Sequence, residues 1–201
     1  MRFTTTSYTS AIVGLLLLAG CEKPANGPGS DPAQKDAATN KAASAVKLDI
    51  AGWDEVQKYV AAQQGKVVVL DLWSSSCEPC IKELPGLVKL HQEHPEDVVC
   101  LTVNLDFIGL ADEPPETHRE AATKILTEKG ATFQNYLSST SDTDVYAKLE
   151  VAAVPVVYVY GRDGQLAKRF DNEKDEYGKE GFTYKDHIAP LVKELIAAKG
   201  S

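Results

Sequence analysis

Two segments of the chain are almost continuously apolar. Residues 66–73 (KVVVLDLW) and 97–105 (DVVCLTVNL) consist mainly of Val and Leu. Such runs are typical of strands that are buried on both faces of a parallel sheet. Apolar positions at helical spacing predict five helices, at 52–65, 77–94, 117–129, 142–150 and 184–200.

Two further segments have strand character. Residues 132–137 (TFQNYL) predict a short strand, and residues 154–170 predict a hairpin that turns at the GRDG segment. Helices alternate with strands before this hairpin, and the last predicted helix follows it. This order predicts an α/β fold in which a central mixed β-sheet is flanked by helices.

The first 46 residues differ in composition from the rest of the 201-residue chain. Residues 1–20 carry one basic residue and the apolar run AIVGLLLLAG, which is too short to span a bilayer as a helix, so they predict a signal peptide. Residues 21–46 are rich in Ala, Pro, Gly and polar residues, which is typical of a flexible linker. We therefore expect one folded domain over residues 47–201.

The end of the signal peptide resembles a bacterial lipoprotein box, because Cys21 directly follows Leu-Ala-Gly. In such proteins the cysteine is acylated and becomes the mature N-terminus, and two or three acyl chains give a stable membrane anchor. The resemblance implies a protein that is held at the membrane through Cys21 and faces the periplasm or the cell exterior. A plain secretory signal with an incidental Cys21 is the alternative.

The formal net charge is -8 at pH 7. Nucleic-acid binding requires a basic surface that neutralises phosphates, so this charge argues against a nucleic-acid partner.

The predicted export would place the domain in an oxidising or redox-managed compartment.

Cys77 and Cys80 lie between the apolar strand 66–73 and the helix 77–94. Two close cysteines can bind a metal, close a loop or cycle between dithiol and disulfide. A CxxC motif that follows a strand and opens a helix in an α/β pattern favours the redox pair. A zinc site would need a second CxxC or CxxH pair, which the sequence lacks, so we expect no metal.

The position of each cysteine predicts its role. Unpaired backbone N–H groups at a helix N-terminus favour a thiolate, so Cys77 is expected to attack a partner disulfide. Cys80, one turn deeper, is expected to resolve the mixed disulfide. Pro79 suits the first helical turn. An ionised Glu78 opposes a second negative charge and is expected to raise the pKa of Cys77 relative to a neutral dipeptide; this acts against the helix dipole, and the sequence does not decide which effect is larger.

Asp71 is the one acid within an otherwise apolar strand, six positions before Cys77. Burial normally raises the pKa of a carboxyl group, and a raised pKa suits proton transfer near neutrality. We therefore interpret Asp71 as a catalytic residue. The alternative is an acid at the strand end that faces solvent.

These residues together resemble the thioredoxin superfamily and, within it, the membrane-anchored TlpA/ResA-like thiol–disulfide oxidoreductases. The segment from Cys77 to Leu87 matches the pattern CxPCxxExPxL of that branch. The other matching positions are Asp71, Trp73, Val154 and Pro155.

The resemblance implies a thioredoxin fold with an extra strand–helix insertion, around residues 105–135, before a cis proline at Pro155. It also implies that Asp71 serves Cys80 and that the backbone of Val154 pairs with an extended substrate peptide. Trp73 would lie beside the active site. Ser76 and Pro79 complete the expected substrate-binding set; Ser76 stands where the family usually has Trp, which affects substrate preference.

The implied activity is thiol–disulfide exchange without a cofactor. The enzyme would reduce disulfide-containing proteins outside the cytoplasm, in cytochrome c maturation or as a general reductant, and a membrane electron donor would restore its dithiol. A disulfide oxidant or peroxidase is one alternative, and a non-catalytic binding module or copper chaperone is another. Cys100 is expected to be a buried structural thiol, and His91 and His94 are expected to be solvated surface residues.

Overall fold

The computed structural model describes residues 45–198. The predicted signal peptide at 1–20, the acylation site Cys21 and most of the linker at 21–46 lie outside the described residues. In the described part, no helix combines the length and the apolar character that crossing a membrane requires.

Eleven regular elements follow one another along the described residues, and strands and helices alternate over most of them. A 3-10 turn at Pro115–His118 precedes the third helix, and a π-helical turn at Tyr184–Ile188 precedes the last helix. The elements are β1 Lys47–Ala51, α1 Trp53–Ala61, β2 Val67–Trp73, α2 Glu78–Glu93, β3 Val98–Asn104, α3 Arg119–Lys129, β4 Gln134–Ser138, α4 Asp142–Leu149, β5 Val156–Tyr160, β6 Leu166–Phe170 and α5 Ala189–Ala197.

The six strands form one sheet in the order β1-β4-β3-β2-β5-β6. The first four of these strands are mutually parallel, whereas β5 runs antiparallel to both β2 and β6. The predicted mixed sheet is therefore confirmed. The predicted extra unit is also confirmed: it consists of α3 and β4, and β4 pairs between β1 and β3.

Helices cover both faces of the sheet. One core lies under α2, α3 and α5, and the other lies under α1 and α4. All seven residues of β2 are buried, as its apolar run predicts for a central strand. The carboxyl ends of the parallel strands β2 and β3 lie at the same end of the sheet, and α2 starts there.

The sequence prediction missed β1 and misjudged the start of the last helix. Strand β1 has only five residues, two of which, Lys47 and Asp49, are charged, and it is held at the sheet edge by its parallel partner β4. The predicted helix at 184–200 begins instead with the π-helical turn at Tyr184–Ile188. Both differences arise from contacts with distant segments, to which local periodicity is insensitive.

Candidate active site

Cys77 is the N-terminal capping residue of α2, and its sulfur is bonded to that of Cys80. The Cα atoms of the two residues are 5.3 Å apart. The backbone N–H of Cys80 also lies 3.3 Å from Cys77 Sγ, so the helix N-terminus presents a donor to this sulfur. That arrangement favours a negative charge on Cys77 when the disulfide is reduced.

The two cysteines differ in their access to solvent. Cys77 is half-buried at the edge of the core, whereas Cys80 is only 3% exposed and lies within it. An incoming disulfide can therefore reach Cys77 and not Cys80. This asymmetry matches the attacking and resolving roles predicted for them.

Asp71 is buried on the sheet face that α2 and the C-terminal segment cover, since its neighbours Val69 and Trp73 belong to that core. Its Oδ2 accepts a hydrogen bond of 2.6 Å from the hydroxyl of Tyr184, and its Oδ1 is buried without a partner. Burial raises the pKa of Asp71 to about 7; the Tyr184 hydrogen bond lowers it, and the charge of Glu83 raises it. The alternative of a solvent-facing acid is therefore wrong.

Two residues near Asp71 connect it to its surroundings. Glu83 accepts a 2.9 Å hydrogen bond from the backbone N–H of Tyr184, which fixes the C-terminal segment to α2. Cys100 is a free, buried thiol in β3, and burial together with the nearby Asp71 raises its pKa. The structure thus places Cys100 in the core, where the sequence predicted a structural thiol.

Asp106 holds the loop that leads into Cys77. Its Oδ1 accepts a 2.7 Å hydrogen bond from the backbone N–H of Ser75, and its Oδ2 accepts one of 3.0 Å from the side chain of Asn104. The sequence analysis missed this residue. The signal was present, because Asn104 ends β3 and Asp106 follows two positions later, at the end of the sheet where the carboxyl ends of parallel strands meet.

The peptide bond between Val154 and Pro155 is cis, as the resemblance implied. Both residues are half-buried and precede β5, which pairs with β2. Val154 packs against the same core edge as Cys77. The structure therefore brings the disulfide, Asp71 and the cis-proline segment to one end of the sheet.

The other predicted site residues divide by burial. Ser76, Glu78 and Pro79 are exposed around Cys77, and Ser76 Oγ lies 3.0 Å from Ser74 Oγ. Trp73, by contrast, is only 1% exposed and packs in the core with Cys80. Direct contact between Trp73 and a substrate does not fit this position, because apolar packing encloses the side chain.

The histidines do not form a second site. His91 is half-buried, and its ring packs edge-on against Phe133 at 5.3 Å. His94 is half-buried as well, and its Nε2 is enclosed, so the expectation of solvated surface residues is wrong for both. Burial lowers the pKa of His91. Within residues 45–198, no three His, Cys, Asp or Glu side chains are grouped so that they could hold a metal ion.

Residues 39–188 match the model of the AhpC/TSA family. The chain is 26% identical over 106 residues to the sporulation thiol-disulfide oxidoreductase A of Bacillus subtilis, a match that covers 52% of this chain and 59% of that protein. It is 22% identical over 123 residues to the thiol-disulfide oxidoreductase ResA of Bacillus cereus, covering 61% and 64%. Both matches span less than two thirds of the relative's length.

Solved structures agree on the fold. A protein from Chlorobium tepidum, described as a DsbE-type thiol:disulfide interchange protein, superposes with a TM-score of 0.52 at 21% identity, covering 68% of this chain and 84% of its own. A thioredoxin-like superfamily protein superposes with a TM-score of 0.53 at 17% identity, covering 71% and 87%. At these identities the likeness establishes the thioredoxin-like α/β fold.

Proposed function

The chain belongs to the AhpC/TSA family, and from this premise we propose that it is a thiol–disulfide oxidoreductase that uses Cys77 and Cys80. One observation carries the proposal: the two cysteines are bonded at the start of α2, with Cys77 accessible and Cys80 buried. A structural disulfide has no need of this asymmetry, whereas a two-step exchange requires it. The names of the two curated relatives support the same activity.

The reaction begins with the reduced enzyme. The Cys77 thiolate attacks one sulfur of a partner disulfide, a new S–S bond forms between them, and the other partner sulfur leaves as a thiolate. The N-terminus of α2 stabilises the attacking charge on Cys77. The product is a mixed disulfide at the accessible cysteine.

The second step releases the partner. Asp71 takes the proton of the Cys80 thiol, and the resulting thiolate attacks Cys77 Sγ. The bond between Cys77 and the partner breaks, the second partner thiolate leaves, and the Cys77–Cys80 disulfide forms. Two electrons have then passed from the enzyme dithiol to the partner. A carboxyl group whose pKa is about 7 suits this proton transfer near neutral pH.

The substrate is proposed to be a disulfide-containing protein that docks an extended segment beside Val154 and Pro155. The exposed Ser76 and Pro79 flank Cys77 on the same surface. A serine at position 76 provides less apolar area than the Trp usual in the resembling branch. This difference favours partners that present little apolar surface around their cysteines.

The N-terminal sequence supports an extracytoplasmic location. The predicted signal peptide would direct export, and acylated Cys21 would then anchor the protein at a membrane, with the linker connecting it to the domain in the periplasm or at the cell exterior. There it would reduce partner disulfides, such as those met in cytochrome c maturation, and a membrane donor would return electrons. Glu78 supports this direction, because its charge opposes the Cys77 thiolate and a less stabilised thiolate favours a reducing pair.

Insulin reduction tests the activity. The wild type should precipitate reduced insulin in the presence of a thiol donor, Cys77→Ser should abolish this, and Cys80→Ala should accumulate a mixed disulfide. A reduction potential near that of thioredoxin, about -270 mV, supports a reductase, whereas one near -120 mV would reverse the assigned direction.

Two further measurements address the alternatives. Rapid peroxide consumption without insulin reduction would identify a peroxidase instead. Stoichiometric Cu(I) binding without turnover would identify a copper chaperone. Either result, in a protein that folds normally, contradicts the proposed function.

A further inference from the structure

Tyr184 joins the C-terminal segment to the buried acid of the candidate site. The residue is 2% exposed and opens the π-helical turn before α5, 113 positions from Asp71 in the sequence. Its hydroxyl donates to Asp71 Oδ2 at 2.6 Å. Burial and the adjacent carboxylate raise the pKa of Tyr184, so the hydroxyl stays protonated and remains a donor.

Three contacts fix Tyr184 in this position. Its backbone N–H donates to Glu83, its hydroxyl donates to Asp71, and its ring packs against the backbone of α2 at Gly86. A Cβ atom at position 86 would lie only 2.6 Å from Tyr184 Cγ, so glycine is what permits this close approach. The side chain is therefore held by both β2 and α2, the elements on either side of Cys77.

The contact leaves the two oxygens of Asp71 in different states. Oδ2 is occupied by the Tyr184 hydroxyl, while Oδ1 is buried without a hydrogen-bond partner. A buried carboxylate oxygen without a partner carries a large desolvation cost, and a proton on that oxygen lowers this cost by neutralising the charge. Proton uptake is thereby directed to Oδ1.

We propose that Tyr184 is a positioning residue of the redox centre: it holds Asp71 Oδ2 so that Oδ1 takes the proton of Cys80 in the resolving step. This inference rests on the proposed function. The proton passes from Cys80 Sγ to Asp71 Oδ1, and the sulfur electron pair forms the bond to Cys77 Sγ as the partner thiolate leaves.

The groups that face Asp71 come from each element packed against it. The π-helical turn supplies Tyr184, α2 supplies Glu83, and β3 supplies Cys100. Cys80 of α2 belongs to the core on the same face of the sheet. Among these, the Tyr184 hydrogen bond stabilises the ionised carboxyl and Glu83 destabilises it. Across the two ladders Asp71 pairs with Thr102 of β3, whose hydroxyl donates to Asn135, and with Val157 of β5, which is apolar.

Titration of the Asp71 carboxyl carbon by NMR in the oxidised full chain tests the contact without any need for activity. Tyr184→Phe keeps the ring on Gly86 but removes the donor, so the midpoint should rise by about one pH unit. Tyr177→Phe is the matched control, because Tyr177 packs against Phe170 and Phe182 in the same segment; its midpoint should equal that of the wild type. A Tyr184→Phe midpoint that is unchanged or lower overturns the proposal.

Glu83→Gln is a second variant, in which the expected change in the titration midpoint of Asp71 has the opposite sign. The amide keeps an acceptor for the backbone N–H of Tyr184 but removes the negative charge, so the midpoint of Asp71 should fall. This variant still tests the proposal if Tyr184→Phe does not fold. If the titration midpoint of Asp71 in Glu83→Gln is not lower than in the wild type, the electrostatic arrangement on which the proposal depends is contradicted.

The pH dependence of insulin reduction tests the role in catalysis. Tyr184→Phe should move the ascending limb to higher pH by the same amount as the NMR midpoint. In an Asp71→Asn background it should produce no further change, because Tyr184 acts only through Asp71. A further change in that background overturns the proposal. A wild type that shows the NMR behaviour but exchanges no disulfides refutes the proposed function instead.

Discussion

Glu78 is the first residue of α2 and lies directly beside the accessible cysteine. An acid in the first turn stabilises a helix through its dipole, but the same charge opposes a thiolate at Cys77. Because Glu78 is exposed, solvent screens its effect, and its influence on Cys77 should be modest. At the scale of single residues, then, Glu78 is exposed to solvent, whereas Asp71 is buried and its pKa is raised to about 7.

We predict that Glu78→Gln lowers the pKa of Cys77 in the reduced protein, because one opposing charge is removed. The thiolate absorbance near 240 nm, followed against pH, measures this shift. Glu93→Gln, at the opposite end of the same helix, is the control and should leave the Cys77 titration unchanged. A higher Cys77 pKa in Glu78→Gln would show that Glu78 does not act through its charge.

At the scale of elements, α2 begins directly after Cys77 and also contacts the C-terminal segment at two positions. Its backbone at Gly86 receives the Tyr184 ring, and its Glu83 side chain holds the backbone of the π-helical turn. The loop on the other side of the cysteines is held separately, by Asp106 at the end of β3. The start of α2 is therefore flanked by two contacts with distant parts of the sequence, one from Tyr184 and one from Asp106.

Gly86→Ala tests the close approach between α2 and the C-terminal segment. In an ordinary helix interior, Gly→Ala stabilises by up to about 1 kcal/mol. Here the new methyl group would overlap the Tyr184 side chain, so we predict a loss of about 1–3 kcal/mol in the free energy of unfolding, measured with urea. Gly52→Ala is the control, since a Cβ there meets its nearest atom at 3.6 Å. A stabilised Gly86→Ala protein would contradict the packing described for Tyr184.

Asp106→Ala tests whether the hydrogen bond from Ser75 to Asp106 orders the loop before Cys77. Loss of the carboxylate leaves the Ser75 N–H without its 2.7 Å acceptor, so we predict that this amide exchanges its hydrogen at least about tenfold faster. Insulin reduction should slow, because Cys77 is then less well positioned. Asp112→Ala, in the same connection between β3 and α3, is the control. Unchanged exchange at Ser75 would show that the hydrogen bond does not order the loop.

At the scale of the whole molecule, the fold carries a buried acid at the centre of its sheet. The folded state raises the pKa of Asp71 from its ordinary 3.8 to about 7, chiefly by burial. Between these two values the folded protein binds more protons at Asp71 than the unfolded chain does. Its contribution to stability therefore decreases as pH rises through this window, and the full cost remains above pH 7.

We predict that Asp71→Asn increases the free energy of unfolding at pH 8 by up to about 4 kcal/mol and changes it little at pH 4. Asparagine cannot ionise, and its carbonyl can still accept from Tyr184. Urea unfolding of both proteins at the two pH values measures the difference, with Asp112→Asn as an exposed control. An equal difference at pH 4 and pH 8 would show that Asp71 does not titrate in this range. The variant should also reduce insulin more slowly.

Local sequence was sufficient to predict most of the helices and strands and to locate Cys77, Cys80 and Asp71 within them. The apolar runs identified β2 and β3, and the CxxC motif after β2 located the start of α2, because periodicity and capping act over a few neighbouring residues. Asp71 stood out because an acid in an apolar strand is costly. Strand β1 was missed, since five residues with two charges carry little signal without their partner β4.

The sequence by itself determined the order of the strands and helices after β1, the position of the Cys77–Cys80 pair and the presence of an acid in the strand before it. Only the tertiary structure decided what holds these residues. It placed Tyr184 on Asp71 across 113 positions, brought Asp106 to Ser75 across 31, and enclosed Trp73 in the core. The physical reason is that local pattern sets backbone conformation and burial tendency, whereas hydrogen-bond partners and close contacts depend on which distant segments the packed sheet brings together.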